Sequence, residues 1–335
     1  MTRRERVIQA ITHHATDIVP YSMGFTEMAR ERTARLLNDD AFESKIGNHI
    51  HEAYYSGNPT EVRPGFFKDD FGVVWNRTGV DKDIGVIESK LLPAPDISLY
   101  RFPEPPEELL RAVCRDAVAN RSDCFLIASI GFSLFERAWT LTSMEDLLAY
   151  MLTDADFVHD LMRAITDFNL KVLRIYAEYD FDCFMFGDDW GQQKGLIMGP
   201  LCWREFIKPY LTELYAFAKE HGKFIAQHSC GDIEQVFPDL IGIGLDIYQT
   251  FQPEIYDIQS VKAACGNALS FWGGISTQRL LPFATPEQVT ARAGEIMAVM
   301  SQNGGYIAAP THAIPGDVPP ENIRALIDLF QNQHR

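Results

Sequence analysis

The sequence predicts an α/β protein built as a (β/α)8 barrel, and three observations carry that expectation. Short apolar runs alternate with helical patterns from about residue 124 to the end, and the runs close on polar or small residues. The run that starts at Lys223 ends in His228-Ser-Cys-Gly231, which sets an imidazole and a thiol at one strand end. Strands alternating with helices imply right-handed βαβ units and a parallel sheet, and so many in series favour closure. Seven strands can be counted, with an eighth hidden in an irregular segment, so a doubly wound sheet is the alternative.

In order, residues 3–14 read as a helix with Val7, Ile8 and Ile11 on one face, an N-terminal extension ahead of the barrel. Asp17-Ile-Val-Pro20 leads into 21–25, read as the first strand, and helical patterns cover 27–37 and 40–50. Residues 66–90 form an insertion near the active-site mouth, a hairpin of 69–75 and 85–88 around a charged turn. Pro93, Pro95, Pro103, Pro105 and Pro106 mark an extended linker, and a helix begins near Glu107. Strands are then expected at 124–131, 181–186, 223–227, 245–248, 269–272 and 306–309. Between them lie helices from Ser143, over 156–179, 203–221, 233–241, 255–265 and 286–302, and 320–331 closes the chain. The whole of 1–335 reads as one domain.

Composition excludes several classes. With 335 residues and a hydrophobic fraction of 46%, the chain can bury a sizeable core. The six cysteines are scattered without a paired spacing, which points to a reducing compartment. The N-terminus lacks an apolar signal core and no stretch is apolar for long enough to span a bilayer, so a cytoplasmic protein without membrane attachment is expected. A net charge of −16 argues against a nucleic-acid partner.

Candidate site residues fall just after the apolar runs. His228 and Cys230 are two apart, so on a strand they project to one face and can converge on a metal ion, with zinc the natural candidate. Asp188, Asp189 and Glu136 are candidate acid–base groups, with capping of the next turn or surface pairing as the plainer reading. Gln249 and Arg137 are candidate substrate contacts. Trp190, Tyr248 and Trp272 are either packing or a flat ligand wall. His312, between Pro310 and Pro315 in a rigid loop, is a further site candidate.

These residues also carry a resemblance. The opening helix with Asp17-Ile-Val-Pro20, Gly187-Asp-Asp-Trp-Gly191, Trp203-Arg-Glu-Phe-Ile-Lys-Pro209, His228-Ser-Cys-Gly231, Trp272-Gly-Gly-Ile275 and Gly305-Tyr-Ile-Ala-Ala-Pro310 together resemble the uroporphyrinogen decarboxylase superfamily. That resemblance implies a (β/α)8 barrel with its cleft at the strand C-termini. Decarboxylases of the family carry an Arg-Gln-Ala-Gly-Arg segment after the first strand, whereas this chain reads Met23-Gly-Phe-Thr-Glu-Met-Ala-Arg30. The corrinoid-dependent methyltransferase branch carries His-x-Cys and a further cysteine as zinc ligands. His228 and Cys230 match the first two, and the third position falls at His312. The middle of the chain, including Asp81-Lys-Asp-Ile-Gly85 and Phe135-Glu-Arg-Ala-Trp139, looks like the members that demethylate methyl ethers such as vanillate. The resemblance therefore implies an O-demethylase methyltransferase with zinc, a small methylated aromatic substrate and a corrinoid (cobalamin) carried by a partner protein. The alternative is a metal-free decarboxylase of a non-porphyrin acid. The oligomeric state is not fixed, a homodimer being one outcome.

Overall fold

A computed structural model describes residues 1–55, 57–79 and 85–333. Its first strand, β1 (Ile50–Tyr54), is followed by four short strands, β2 (Thr60–Arg63), β3 (Phe66–Lys68), β4 (Val74–Asn76) and β5 (Val86–Ile87). Then come β6 (Phe125–Ile130), β7 (Cys183–Gly187), the hairpin β8 (Gly191–Gln192) and β9 (Gly195–Leu196), and β10 (Phe224–His228), β11 (Ile247–Phe251), β12 (Ser270–Ile275) and β13 (Tyr306–Pro310). Seven of these pair in parallel in the order β1-β6-β7-β10-β11-β12-β13.

Residues 20–25 supply the eighth stave. Tyr21 bridges Ala308 and Phe25 bridges Ile314, both in parallel, while the Tyr21 carbonyl accepts from His49 N at 2.9 Å beside β1. The result is a closed (β/α)8 barrel. The bridges are made by Ala308 N donating to the Pro20 carbonyl at 2.8 Å and Ser22 N to the Ala308 carbonyl at 3.0 Å, and by Ile314 N to the Gly24 carbonyl and Thr26 N to the Ile314 carbonyl.

The strand that sequence reading overlooked is β1. A helix over 40–50 is expected, but the helix is Phe42–Ile46 and stops at Gly47, whose φ of +84° is the left-handed C-terminal geometry. The insertion also holds more than a hairpin: β2 to β5 form an antiparallel sheet of four strands. Residues 81–84 of the expected charged turn lie outside the described residues.

Two apolar layers follow from the strand alternation. Phe125, Ile127, Cys183, Met185, Ala226, Ile247 and Ile307 fill the barrel interior. Val7 and Ile11 of the first helix (Arg3–Ile11) join them, so this helix closes the N-terminal end. Thr2 and Glu5 start that helix with a capping box. The alternate strand residues pack outward against the helices, including the long Ala155–Ala177 helix. With the bottom plugged and the interior filled, the C-terminal face of the barrel is left to hold a site. Among the described residues no helix is long and apolar enough to cross a membrane.

Candidate metal centre

Ala226 points into the barrel interior, so the period of two sets His228 on the same side one level higher, and Cys230 follows just past the strand end. Register places Gly187 of β7 and Gln249 of β11 on either side of His228. His228 Nε2 lies 3.4 Å from Asp189 Oδ1 and 3.6 Å from Cys230 Sγ. One ligand atom from each of Asp189, His228 and Cys230 falls within 4.8 Å of the others.

Two backbone details create this convergence. The loops after β7 and β10 lie against each other, with Gly191 N donating to the Cys230 carbonyl at 3.2 Å and Asp232 N to the Gln192 carbonyl at 2.8 Å. A Cβ on Gly231, whose φ is +77°, would stand 2.2 Å from the Gly191 carbonyl carbon, so only glycine permits the approach. The closeness carries Asp189 to the imidazole, where Cys230 N donates to its Oδ1 at 2.8 Å.

His228 Nδ1 donates to Gln249 Oε1. That bond assigns the tautomer and leaves Nε2 facing the thiol and the carboxylate. Burial works against a charged imidazole here, yet Asp189 and Cys230 beside it hold His228's proton affinity well above the ordinary value. Burial also opposes the Asp189 carboxylate, and the contacts with His228 and Cys230 still lower its pKa. A position that favours positive charge between an imidazole, a thiol and a carboxylate suits a divalent cation.

Asp188 behaves differently from its neighbour. It is fully buried and accepts from Phe135 N at 2.9 Å, Glu136 N at 2.8 Å and Trp190 Nε1 at 2.6 Å. Its carboxylate thus holds the start of the Phe135–Leu141 helix and does not face the cluster as an acid–base group. Burial and then the charges of Asp188 and Asp189 raise the pKa of Glu136. Burial raises the pKa of Asp188 as well, only partly offset by the three N–H donors, so both neighbouring carboxyls hold a proton more tightly than usual.

Other sequence candidates are relocated. Asp189 joins His228 and Cys230 in the group of three whose ligand atoms converge; His312 faces His228 with ring centroids 6.2 Å apart and is not part of that group. Gln249 orients His228 instead of standing ready for a substrate. Trp190 is fully buried against Trp203, and Tyr248 is fully buried with its hydroxyl donating to the Ser229 carbonyl at 2.9 Å. Neither is free to flank a ligand ring. Trp272 fills the barrel interior and donates to Ser22 Oγ at 2.9 Å. Arg137 pairs with Asp69 of the insertion at 3.1 Å.

Sequence reading missed Glu52 and Tyr54, which stand on the exposed side of β1 beside the mouth, with Ser129 Oγ donating to Glu52 Oε1 at 2.5 Å. The signal was the alternation of Ile50, Glu52 and Tyr54 directly after a helix-ending glycine. Between the insertion sheet and this part of the barrel lies a cavity of about 310 Å³, bordered by Tyr54, Trp75, Gly131, Phe132 and Arg137.

Comparison with known proteins follows the same lines. Residues 85–333 match the uroporphyrinogen decarboxylase (URO-D) family. A methylated-thiol–coenzyme M methyltransferase of Methanosarcina mazei is 25% identical over 193 residues, 58% of this chain and 49% of that protein. A uroporphyrinogen decarboxylase of Coxiella burnetii is 25% identical over 202 residues, 55% of this chain and 50% of that protein. The chain spans about half the length of these curated relatives. A solved methyltransferase from Methanosarcina mazei superposes with a TM-score of 0.71 at 15% identity over 100% of both chains, a likeness of fold.

Proposed function

The chain belongs to the uroporphyrinogen decarboxylase family, and from that premise we propose that it is a methyltransferase acting on an aryl methyl ether, with a corrinoid on a separate protein as methyl acceptor. The observation that carries this reading is the convergence of Asp189, His228 and Cys230 within 4.8 Å. An imidazole nitrogen, a thiolate and a carboxylate are donor types that zinc takes, and Gln249 turns the correct ring nitrogen toward them. The likeness to a relative named for methyl transfer supports the same reading.

When bound, zinc supplies Lewis acidity toward the ether oxygen and the corrinoid supplies the cobalt that accepts the methyl group. The chain's own residues do the rest. Asp189, His228 and Cys230 hold the cation. A phenolate is a poor leaving group, and Glu136, kept protonated by burial and by two neighbouring carboxylates, delivers a proton to the departing oxygen. His312 faces His228 with ring centroids 6.2 Å apart, and Tyr54 borders the cavity beside β1.

Elemental analysis of purified protein tests the reading first, followed by a screen of methoxylated aromatics with reduced corrinoid protein. His228→Ala is expected to lose bound zinc and methyl transfer while remaining folded; full activity in a metal-free preparation refutes the assignment. The matches to decarboxylases favour a second reading, decarboxylation of a non-porphyrin acid. CO₂ release by zinc-free protein, without methylation of any corrinoid, selects it.

A further inference from the structure

The cavity under the insertion sheet is lined by Gly131, and Gly131 and Gly187 stand between it and His228 of the candidate metal group. Gly187 is the register partner of His228, and a Cβ built on Gly187 would stand 3.4 Å from the Gly131 Cα. A Cβ on Gly131 would come 2.8 Å from the Tyr54 hydroxyl and 3.2 Å from its ring. Gly131 thus lines the cavity against Tyr54 and packs on Gly187, which neighbours His228.

The far walls are aromatic. Phe132 adopts a φ of +51°, a left-handed backbone that a bulky residue rarely takes, and its ring lies 6.0 Å from Trp75 and 6.4 Å from Trp139. The Arg137 guanidinium stacks 3.9 Å over Phe71 while bonding Asp69, so its charge is balanced by a carboxylate at the same wall. A volume of about 310 Å³ is at the lower end of ligand sites, roughly 300–1,000 Å³. Trp75, Phe132 and Phe168 among the lining, with Arg77 and with Asp70 accepting from the Tyr55 hydroxyl at 2.9 Å as further polar edges, and limited space match one planar ring with polar substituents.

Resting on the methyl-transfer reading above, we propose that the methyl donor occupies this cavity as a single aromatic ring, its methyl-bearing edge directed toward the Gly131 wall nearest His228, and that Gly131 and Tyr54 determine specificity. A small aliphatic donor would leave the aromatic walls unfilled. A fused or branched donor would meet Tyr54.

The test is calorimetric binding to full-length protein without corrinoid, using 2-methoxyphenol, cyclohexyl methyl ether and methanol as probes. The methoxyphenol is expected to bind about tenfold or more tightly than the saturated ether, the worth of one or two ring contacts. Gly131→Ala is expected to weaken it about tenfold or more by displacing Tyr54, and Tyr54→Ala in that background to restore much of the loss. Circular dichroism and zinc content report whether each variant keeps its fold. Equal affinity for both ethers overturns the proposal, as does a folded Gly131→Ala that binds the methoxyphenol normally. If the ring binds and responds to these variants but no methyl reaches a corrinoid, the methyl-transfer reading fails and the pocket assignment stands. If methyl transfer proceeds with an unchanged KM for ring donors in Gly131→Ala, the pocket assignment fails and the reaction stands.

Discussion

Replacing Asp188 with asparagine tests whether this carboxylate is a clamp or an acid. Its Oδ2 accepts from Phe135 N and Trp190 Nε1, and its Oδ1 from Glu136 N. An amide offers one acceptor and one NH₂, so in either orientation at least one of those donors faces another donor. A buried donor without a partner costs roughly 1–3 kcal/mol, and the surviving bonds lose their charge assistance. Because Asp188 is fully buried, water cannot repair the loss, and Asp188→Asn is expected to destabilise the fold by about 2–4 kcal/mol. Urea denaturation followed by circular dichroism reads this as a lower midpoint at unchanged slope, a shift on the order of 1 M. A variant with the parental midpoint and a turnover lowered by orders of magnitude would refute the clamp and return Asp188 to the chemistry.

Gly231→Ala forces a left-handed φ on an L-residue and drives a Cβ into the Gly191 backbone; a loss of about 3 kcal/mol or more is expected, with zinc binding lost alongside, checked by thermal melting and elemental analysis. Gln249→Ala frees the His228 ring and is expected to lower zinc affinity about 10–100-fold with little change in melting temperature, measured by competition with a chelator. His49 carries a pH dependence. Burial first, and then the charge of Arg6, whose Nη1 lies 2.8 Å from His49 Nε2, lower its pKa to about 4 from an ordinary 6.5. The unfolded chain then binds more protons between those values, so stability is complete above about pH 6.5 and falls as pH drops toward 4, by an amount on the order of 3 kcal/mol. His49→Gln is expected to flatten that part of the stability profile, and an unchanged slope between those pH values would count against the assignment.

Local pattern was enough to predict much of this protein. The strands bearing Cys183, Ala226, Ile307 and their neighbours are apolar because both faces are buried, one in the barrel interior and one under helices, and that composition is visible in one dimension. His228 and Cys230 share a face because the strand repeat is two, which needs no knowledge of the rest of the chain. β1 escaped notice because its polar residues, His51 and Glu52, follow a short helix without an apolar run. Local pattern could not say which of two adjacent aspartates joins the histidine. Asp188 and Asp189 are chemically identical, and they differ because the strand turns one carboxylate inward to a helix start and the other toward His228. The role of Trp190 was equally hidden, since burial depends on Trp203 and on the loop around Ser229. Strand period and apolar content are properties of neighbouring residues, whereas ligand sets and cavities are properties of distances between segments, and those distances exist only once the barrel has closed and two glycines have let its loops touch.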